Sequence, residues 1–230
     1  VFELPAGFGA VGNPGEYLEP YAFTRIENSD GSIYIDVSQV QLKRQVFKES
    51  TAWMLVDVLK GCVTSGVGTG SRANFRGMEI AGKTGTNSDN VGVTFAGMSG
   101  YYSAAVWIGS DNYKPLASNA TGGNSAAPLW SALMEAVHYT TGCTQNRAIL
   151  TKSASAVGLT RASCCAVSGM APTSACANDI NGYGVNTDYY LVGTEPDTPC
   201  NMHRALTICN RSGLRATSNC SSTSVRGVIY

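Results

Sequence analysis

The hydrophobic period changes several times along the chain, and each change marks an element. Two extended stretches, 21–28 and 32–37, flank Ser29-Asp30-Gly31, where glycine supplies the φ freedom of a tight turn; a hairpin is expected. From Ser50 the period becomes helical: Ala52, Leu55, Val56 and Leu59 fall at i, i+3, i+4 and i+7, with Ser50 as N-cap and Gly61 as stop. Trp53, Met54 and Val58 widen that stripe and predict deep burial. Residues 63–74 are rich in Gly and Ser and read as a loop into a strand at about 77–86.

Two more strands follow. Val93 and Phe95 alternate with Thr94 and Ala96, Ser99-Gly100 makes a turn, and 101–108 is nearly continuously apolar, the pattern of a strand covered on both faces. A second helix is signalled by Asn124-Ser125 as a cap, Pro128 in the first turn, and Trp130, Leu133, Met134 and Val137 on one face, ending near Gly142. Beyond about residue 150 the helical period fades. Residues 151–163 read as a linker, and 164–230 as a small separate module.

That module repeats itself: Cys, Ser-Gly, Thr-Ser and Cys occur in one register in CAVSGMAPTSAC (165–176) and CNRSGLRATSNC (209–220). Each unit reads as a β-hairpin with the Ser-Gly pair at its turn, stapled by a disulfide, Cys165 to Cys176 and Cys209 to Cys220. Closing a loop of that size contributes on the order of 3 kcal/mol, useful to a module with so little core. The strand-like 187–193 after the first unit is echoed by 223–230 after the second. Six of eight cysteines fall in the last third, which points to an oxidising compartment; Cys62, Cys143, Cys164 and Cys200 are left without assigned partners. With no C-x-x-C, and with His138 and His203 standing alone, no metal site is expected; His138 reads as a surface or interface residue near a helix end.

Charge narrows the function classes. Sixteen Lys and Arg balance sixteen Asp and Glu, so no basic stripe is available for nucleic acid. No apolar run is long enough to span a bilayer, and any anchor or export signal is expected outside this chain.

The informative stretch is Gly77-Met-Glu-Ile-Ala-Gly-Lys-Thr-Gly-Thr86. Read as G-x-x-x-x-G-K-T, 77–84 satisfies the P-loop pattern, which needs an apolar strand before its first glycine and a helix starting at Lys-Thr. Here 71–76 is polar and 85–90 is turn-like, so a P-loop nucleotide binder is only a remote alternative. Read as Lys83-Thr84-Gly85-Thr86 at the end of a strand, the same letters match the Lys-Thr-Gly motif of penicillin-binding proteins and class A β-lactamases. Alternation puts Gly85 on the face of Lys83, leaving room for substrate against the backbone, and puts Thr84 and Thr86 on the other face.

The surroundings strengthen that second reading. AGKTGTNSDNVGVTFAGMSGYYSAAVWIGSDN (81–112), EYLEPYAFTRIENSDG (16–31), TGGNSAAPLW (121–130) and GTEPDTPC (193–200) together resemble the C-terminal part of the transpeptidase domain of class A penicillin-binding proteins, over nearly all of the chain apart from 1–15. The resemblance implies an α+β fold, an antiparallel sheet flanked by helices over 1–150, with the disulfide-stapled β module after it. It also implies peptidoglycan DD-transpeptidation at the extracytoplasmic face of a bacterial membrane, with stem peptides and β-lactams as partners and no cofactor. Lys83, Thr84, Gly85 and Thr86 would hold the donor, with the Thr86 amide completing the oxyanion hole. No Ser is followed by Lys three residues later, and no S-x-N precedes the motif; Ser88-Asp89-Asn90 follows it and reads as a polar turn. The nucleophile would come from an N-terminal segment or companion chain carrying S-x-x-K and S-x-N, and this chain alone would be inactive. The rival from another class is a non-catalytic wall or partner-binding module.

Overall fold

The structure, a computed structural model, describes residues 2–229. It divides into two compact units, one up to Ser153 and one from Ala154 on. The first contains α1 (Glu3–Gly12), β1 (Glu16–Leu18), β2 (Arg25–Glu27), β3 (Ile33–Asp36), α2 (Val37–Val40), β4 (Lys43–Gln45), α3 (Glu49–Thr64), β5 (Ala81–Thr86), β6 (Gly92–Met98), β7 (Ser103–Gly109) and α4 (Ala127–Thr140). The second contains β8 (Leu159–Cys165), α5 (Ser174–Ala177), β9 (Val185–Leu191), β10 (His203–Cys209) and β11 (Thr223–Ile229).

The centre of the first unit is an antiparallel sheet in the order β5-β6-β7. On one face Val93 and Phe95 pack with Phe75, Ile80, Trp130 and Met134; the Phe95 and Trp130 rings meet edge to face at 5.1 Å. On the other, Ala81 and Met98 pack with Val56 of α3, Phe8 and Val11 of α1, and Ile149. This is the expected α+β arrangement. The strand covered on both faces is β6, however, because β7 forms an edge and Trp107 is half exposed.

The helix α1 was not anticipated, since three glycines and a proline in ELPAGFGAVG depress helix propensity. Two of those glycines let it lie close to the sheet: a Cβ at Gly9 would come within 3.1 Å of Ser103 Oγ, and one at Gly12 within 2.6 Å of Met98 Sδ. In α3, Lys48 rather than Ser50 is the N-cap, and the helix runs past Gly61 to bury Val63. Only one side of it is deep, with Ala52, Trp53 and Val56 buried and Val58 72% exposed. In α4 the expected Pro128 sits in the first turn, but the chain enters through a π-helical turn, Gly122–Ala126, where Thr121 accepts a hydrogen bond from the Asn124 amide. Trp130, Met134 and His138 form the buried stripe.

The expected hairpin is present in shorter form, β2 with β3, and Gly31 has φ +82° in its turn. His138 is 2% exposed and not a surface residue. Its Nε2 meets Ser99 Oγ at 2.9 Å, its Nδ1 meets the Cys143 carbonyl at 2.8 Å, and Phe75, Tyr101 and Tyr102 enclose the ring.

In the second unit, β8 occupies part of the stretch read as a linker. β8 pairs with β9 and β10 with β11, each antiparallel, so 187–193 and 223–230 hold equivalent strands, although Tyr230 lies outside the described residues. The units 165–176 and 209–220 are not themselves the expected hairpins, since the strand partners lie outside them and 174–177 is helical, but both Ser-Gly turns form with the same bonds. Gly169 N donates to Cys165 O at 2.9 Å and Gly213 N to Cys209 O at 2.8 Å, and the two glycines have φ +70° and +72°. Among the described residues no helix is long and apolar enough to cross a membrane.

Candidate active-site edge

Lys83, Thr84, Gly85 and Thr86 all lie in β5, one of the two outer strands of its sheet. No helix begins at Lys83-Thr84, so the P-loop geometry is absent from this stretch and the nucleotide-binding alternative falls. The strand runs from core to surface. Ala81 and Gly82 are buried, Lys83 and Thr86 are exposed, and Thr84 and Gly85 lie between. Gly82 anchors it beneath an aromatic ring, for an added Cβ would fall 2.5 Å from Phe95 Cζ.

Register separates the motif between two faces, as alternation requires. Thr84 pairs with Phe95 and Thr86 with Val93 on the face toward α4, whereas Lys83 pairs with Ala96 and Gly85 with Thr94 on the other. The Thr84 and Thr86 side chains reach a cleft of about 460 Å³ lined also by Thr69, Arg72, Thr121 and Asn124. Within it Thr84 Oγ1 and Thr69 Oγ1 share a hydrogen bond of 2.7 Å, and Thr86 Oγ1 accepts from the Gly122 amide at 3.0 Å. Lys83 curls back instead, and its Nζ donates to the Thr84 carbonyl at 3.1 Å.

Gly122 is needed for the close approach of the π turn to β5. A Cβ there would sit 2.7 Å from the Thr94 carbonyl oxygen and 2.8 Å from that of Gly85. Arg72 ties the preceding loop to the same turn through the Asn124 carbonyl, 3.2 Å away. Ser88-Asp89-Asn90 is the turn from β5 to β6, closed by Asn87, whose Oδ1 accepts from the Val91 amide at 2.8 Å. It does not stand across the cleft as a third motif would.

The family model described as "Penicillin binding protein transpeptidase domain" matches residues 2–135, more than half of the chain. The chain belongs to that family. The match takes in α1, so family likeness begins earlier than residue 16. A second model, "Penicillin-binding protein 1A, C-terminal domain", matches residues 156–205. Penicillin-binding protein 1A of Clostridium tetani is 33% identical over 207 residues, 88% of this chain and 24% of that protein. That of Clostridium perfringens is 31% identical over 205 residues, 89% of this chain and 23% of that protein. The chain therefore spans about a quarter of the length of these relatives. Among solved structures, penicillin-binding protein 1A from Haemophilus influenzae superposes with a TM-score of 0.65 at 18% identity, over 86% of this chain and 32% of that one. The PonA1 protein from Mycobacterium tuberculosis in complex with penicillin V superposes with a TM-score of 0.55 at 21% identity, over 65% of this chain and 40% of that one. Both likenesses bear on the fold.

The cysteines expected to pair lie in two different settings. All eight thiols are unbonded. Cys209 and Cys220 do lie side by side: their hydrogen bond, with others from Ser212 and the Arg211 amide, lowers the Cys209 thiol to about 7. Cys165 and Cys176, in contrast, converge with Cys200 and His203, all four buried, their ligand atoms within 4.8 Å of one another. His203 thus does not stand alone. The signal that would have found it is the C-x-x-H spacing of Cys200-Asn-Met-His203.

Proposed function

We propose that the chain supplies the Lys-Thr-Gly wall of a serine DD-transpeptidase that cross-links peptidoglycan at the extracytoplasmic face of a bacterial membrane. The supporting observation is the placement of Lys83-Thr84-Gly85-Thr86 on an outer strand with both threonine side chains turned to a cleft. Membership of the transpeptidase family supports the reaction class.

In this reading the D-Ala-D-Ala end of a stem peptide lies along β5. Its carboxylate accepts hydrogen bonds from Thr84 and Thr86, and Lys83 turns from the Thr84 carbonyl to face it. At 4 Å and an effective dielectric of about 20 that charge pair is worth up to ~4 kcal/mol. The Thr86 amide polarises the scissile carbonyl. A serine outside this chain attacks, D-alanine leaves, and an amine of a second stem resolves the acyl-enzyme. A β-lactam occupies the same place, its carboxylate taken by the same groups. The nucleophile and its base come from the segment preceding these residues in the whole polypeptide, or from a companion chain, because no S-x-x-K occurs here.

Acylation of the whole polypeptide by a fluorescent penicillin tests this. Lys83→Ala is expected to slow acylation about 30-fold or more, since half of the Coulombic attraction corresponds to that factor. Tryptophan fluorescence should meanwhile report an unchanged fold. Undiminished acylation of the variant, labelling of the 230-residue chain alone, or no labelling of the whole polypeptide would each overturn the reading; the last would favour a partner-binding wall.

A further inference from the structure

We propose that Cys165, Cys176, Cys200 and His203 form a closed, structural zinc site that holds the second unit together. The four ligand atoms come from three separated places: the end of β8, the short helix α5, and the turn that enters β10. The two sulfur–nitrogen separations match one tetrahedral ion. With Zn–S of ~2.3 Å and Zn–N of ~2.05 Å, tetrahedral angles put sulfur and nitrogen about 3.6 Å apart. His203 Nδ1 lies 3.4 Å from Cys165 Sγ and 3.5 Å from Cys200 Sγ.

The surroundings are those of a metal site. Hydrogen bonds reach the sulfurs from outside the cluster: Ser168 Oγ donates to Cys200 Sγ at 3.2 Å, the Thr173 amide to Cys176 Sγ at 3.3 Å, and the amides of Val167 and Ser168 to Cys165. The amides of Met202 and His203 do the same for Cys200. Such donors stabilise thiolates, the form in which cysteine binds metal.

On the far side of the ring, His203 Nε2 is buried without a hydrogen-bond partner, 3.8 Å from Asp179 Oδ2. A metal on Nδ1 fixes the proton on Nε2, where it faces that carboxylate, and an outer carboxylate of this kind orients ligand histidines. Asp179 is itself held by the amides of Asn181 and Tyr183 at 3.2 and 3.0 Å.

Three thiolates and one imidazole complete four-fold coordination and leave no position for water, so the site is structural and not catalytic. On binding, each thiol releases its proton to solvent and the imidazole stays neutral. A Cys165–Cys176 disulfide would use two sulfurs and leave the other thiol and the ring buried beside it. The second repeat offers only Cys209 and Cys220, and no third cysteine or histidine joins them among the described residues. Cys164, next along β8, is not in the cluster; its hydrogen bond to Tyr190, with burial, pushes that phenol up to about 12.

The whole 230-residue chain, purified under reducing conditions and dialysed against zinc and then against metal-free buffer, should retain one zinc per chain by elemental mass spectrometry. Cobalt(II) in its place should give the visible absorption of tetrahedral thiolate coordination. Cys200→Ser is expected to weaken zinc binding at least 100-fold and Asp179→Asn about 10-fold or more, with Cys220→Ser unchanged. Retention of no zinc by the natural sequence, a Cys165–Cys176 bond found by peptide mapping of chain isolated without reductant, or equal loss from Cys220→Ser would overturn the proposal. Because the first two readouts use the unaltered chain, a variant that fails to fold does not affect them.

Discussion

Up to Ser153 the chain buries aromatic and aliphatic side chains; from Ala154 on, what it buries is largely sulfur. The first unit closes over Trp130, Phe95, Ile80 and Met134, a cluster that excludes water by area and shape. The corresponding cluster of the second unit is Cys165, Cys176 and Cys200, flanked by half-buried Met170 and Met202. Two paired ribbons, each of two strands, are marginal alone in water, so the second unit needs a crosslink of some kind where the first needs none. The transpeptidase family model matches residues of the first unit, and the cysteine and histidine cluster lies in the second.

The contrast can be broken by substitution. Trp130 touches Phe75 and Phe95 and donates through Nε1 to the Ala104 carbonyl at 2.9 Å, so Trp130→Ala should cost ~3–5 kcal/mol. Urea unfolding followed by hydrogen exchange would show this as lost protection confined to peptides before residue 153. Equal loss in later peptides would mean that the units unfold as one.

Gly122→Ala forces the π turn off β5 and should cost ~1–3 kcal/mol, the usual range for overpacking. The three tryptophans, Trp53, Trp107 and Trp130, all lie in the first unit, so their fluorescence reads this change directly. The smallest effect is expected in the second unit. If coordination rather than apolar burial holds it, Met170→Ala should cost less than about 1 kcal/mol in the zinc-loaded chain, well below the ~2–5 typical of a core methionine. A loss in that higher range would make the two units alike.

Much of the first unit was legible because its burial follows local periods. The stripe of α4 and the alternation in β6 appear directly in the order of residues, as does the Lys83 motif on its strand. Where reading failed, tertiary contact had overruled local preference. The glycines of α1 lower its helix propensity yet permit its approach to Ser103 and Met98. Gly61 costs about 1 kcal/mol relative to alanine inside α3, but burial of Val63 two residues later offsets it. The convergence of Cys165, Cys176, Cys200 and His203 was not legible because its members are scattered, and only Cys200 and His203 are close in sequence. Local spacing also gave no hint that Thr84 and Thr86 would meet Thr69 and Gly122, which lie in different loops.

The outer strand β5 has a consequence for handling the molecule. A strand with one side free is a template for another of its kind, so concentrated chain can dimerise edge to edge. Antiparallel pairing centred near Lys83 would bring two ammonium groups into proximity, and their repulsion acts as a gatekeeper. Raising the ionic strength screens that repulsion, and the lysine charge then protects less well against self-association.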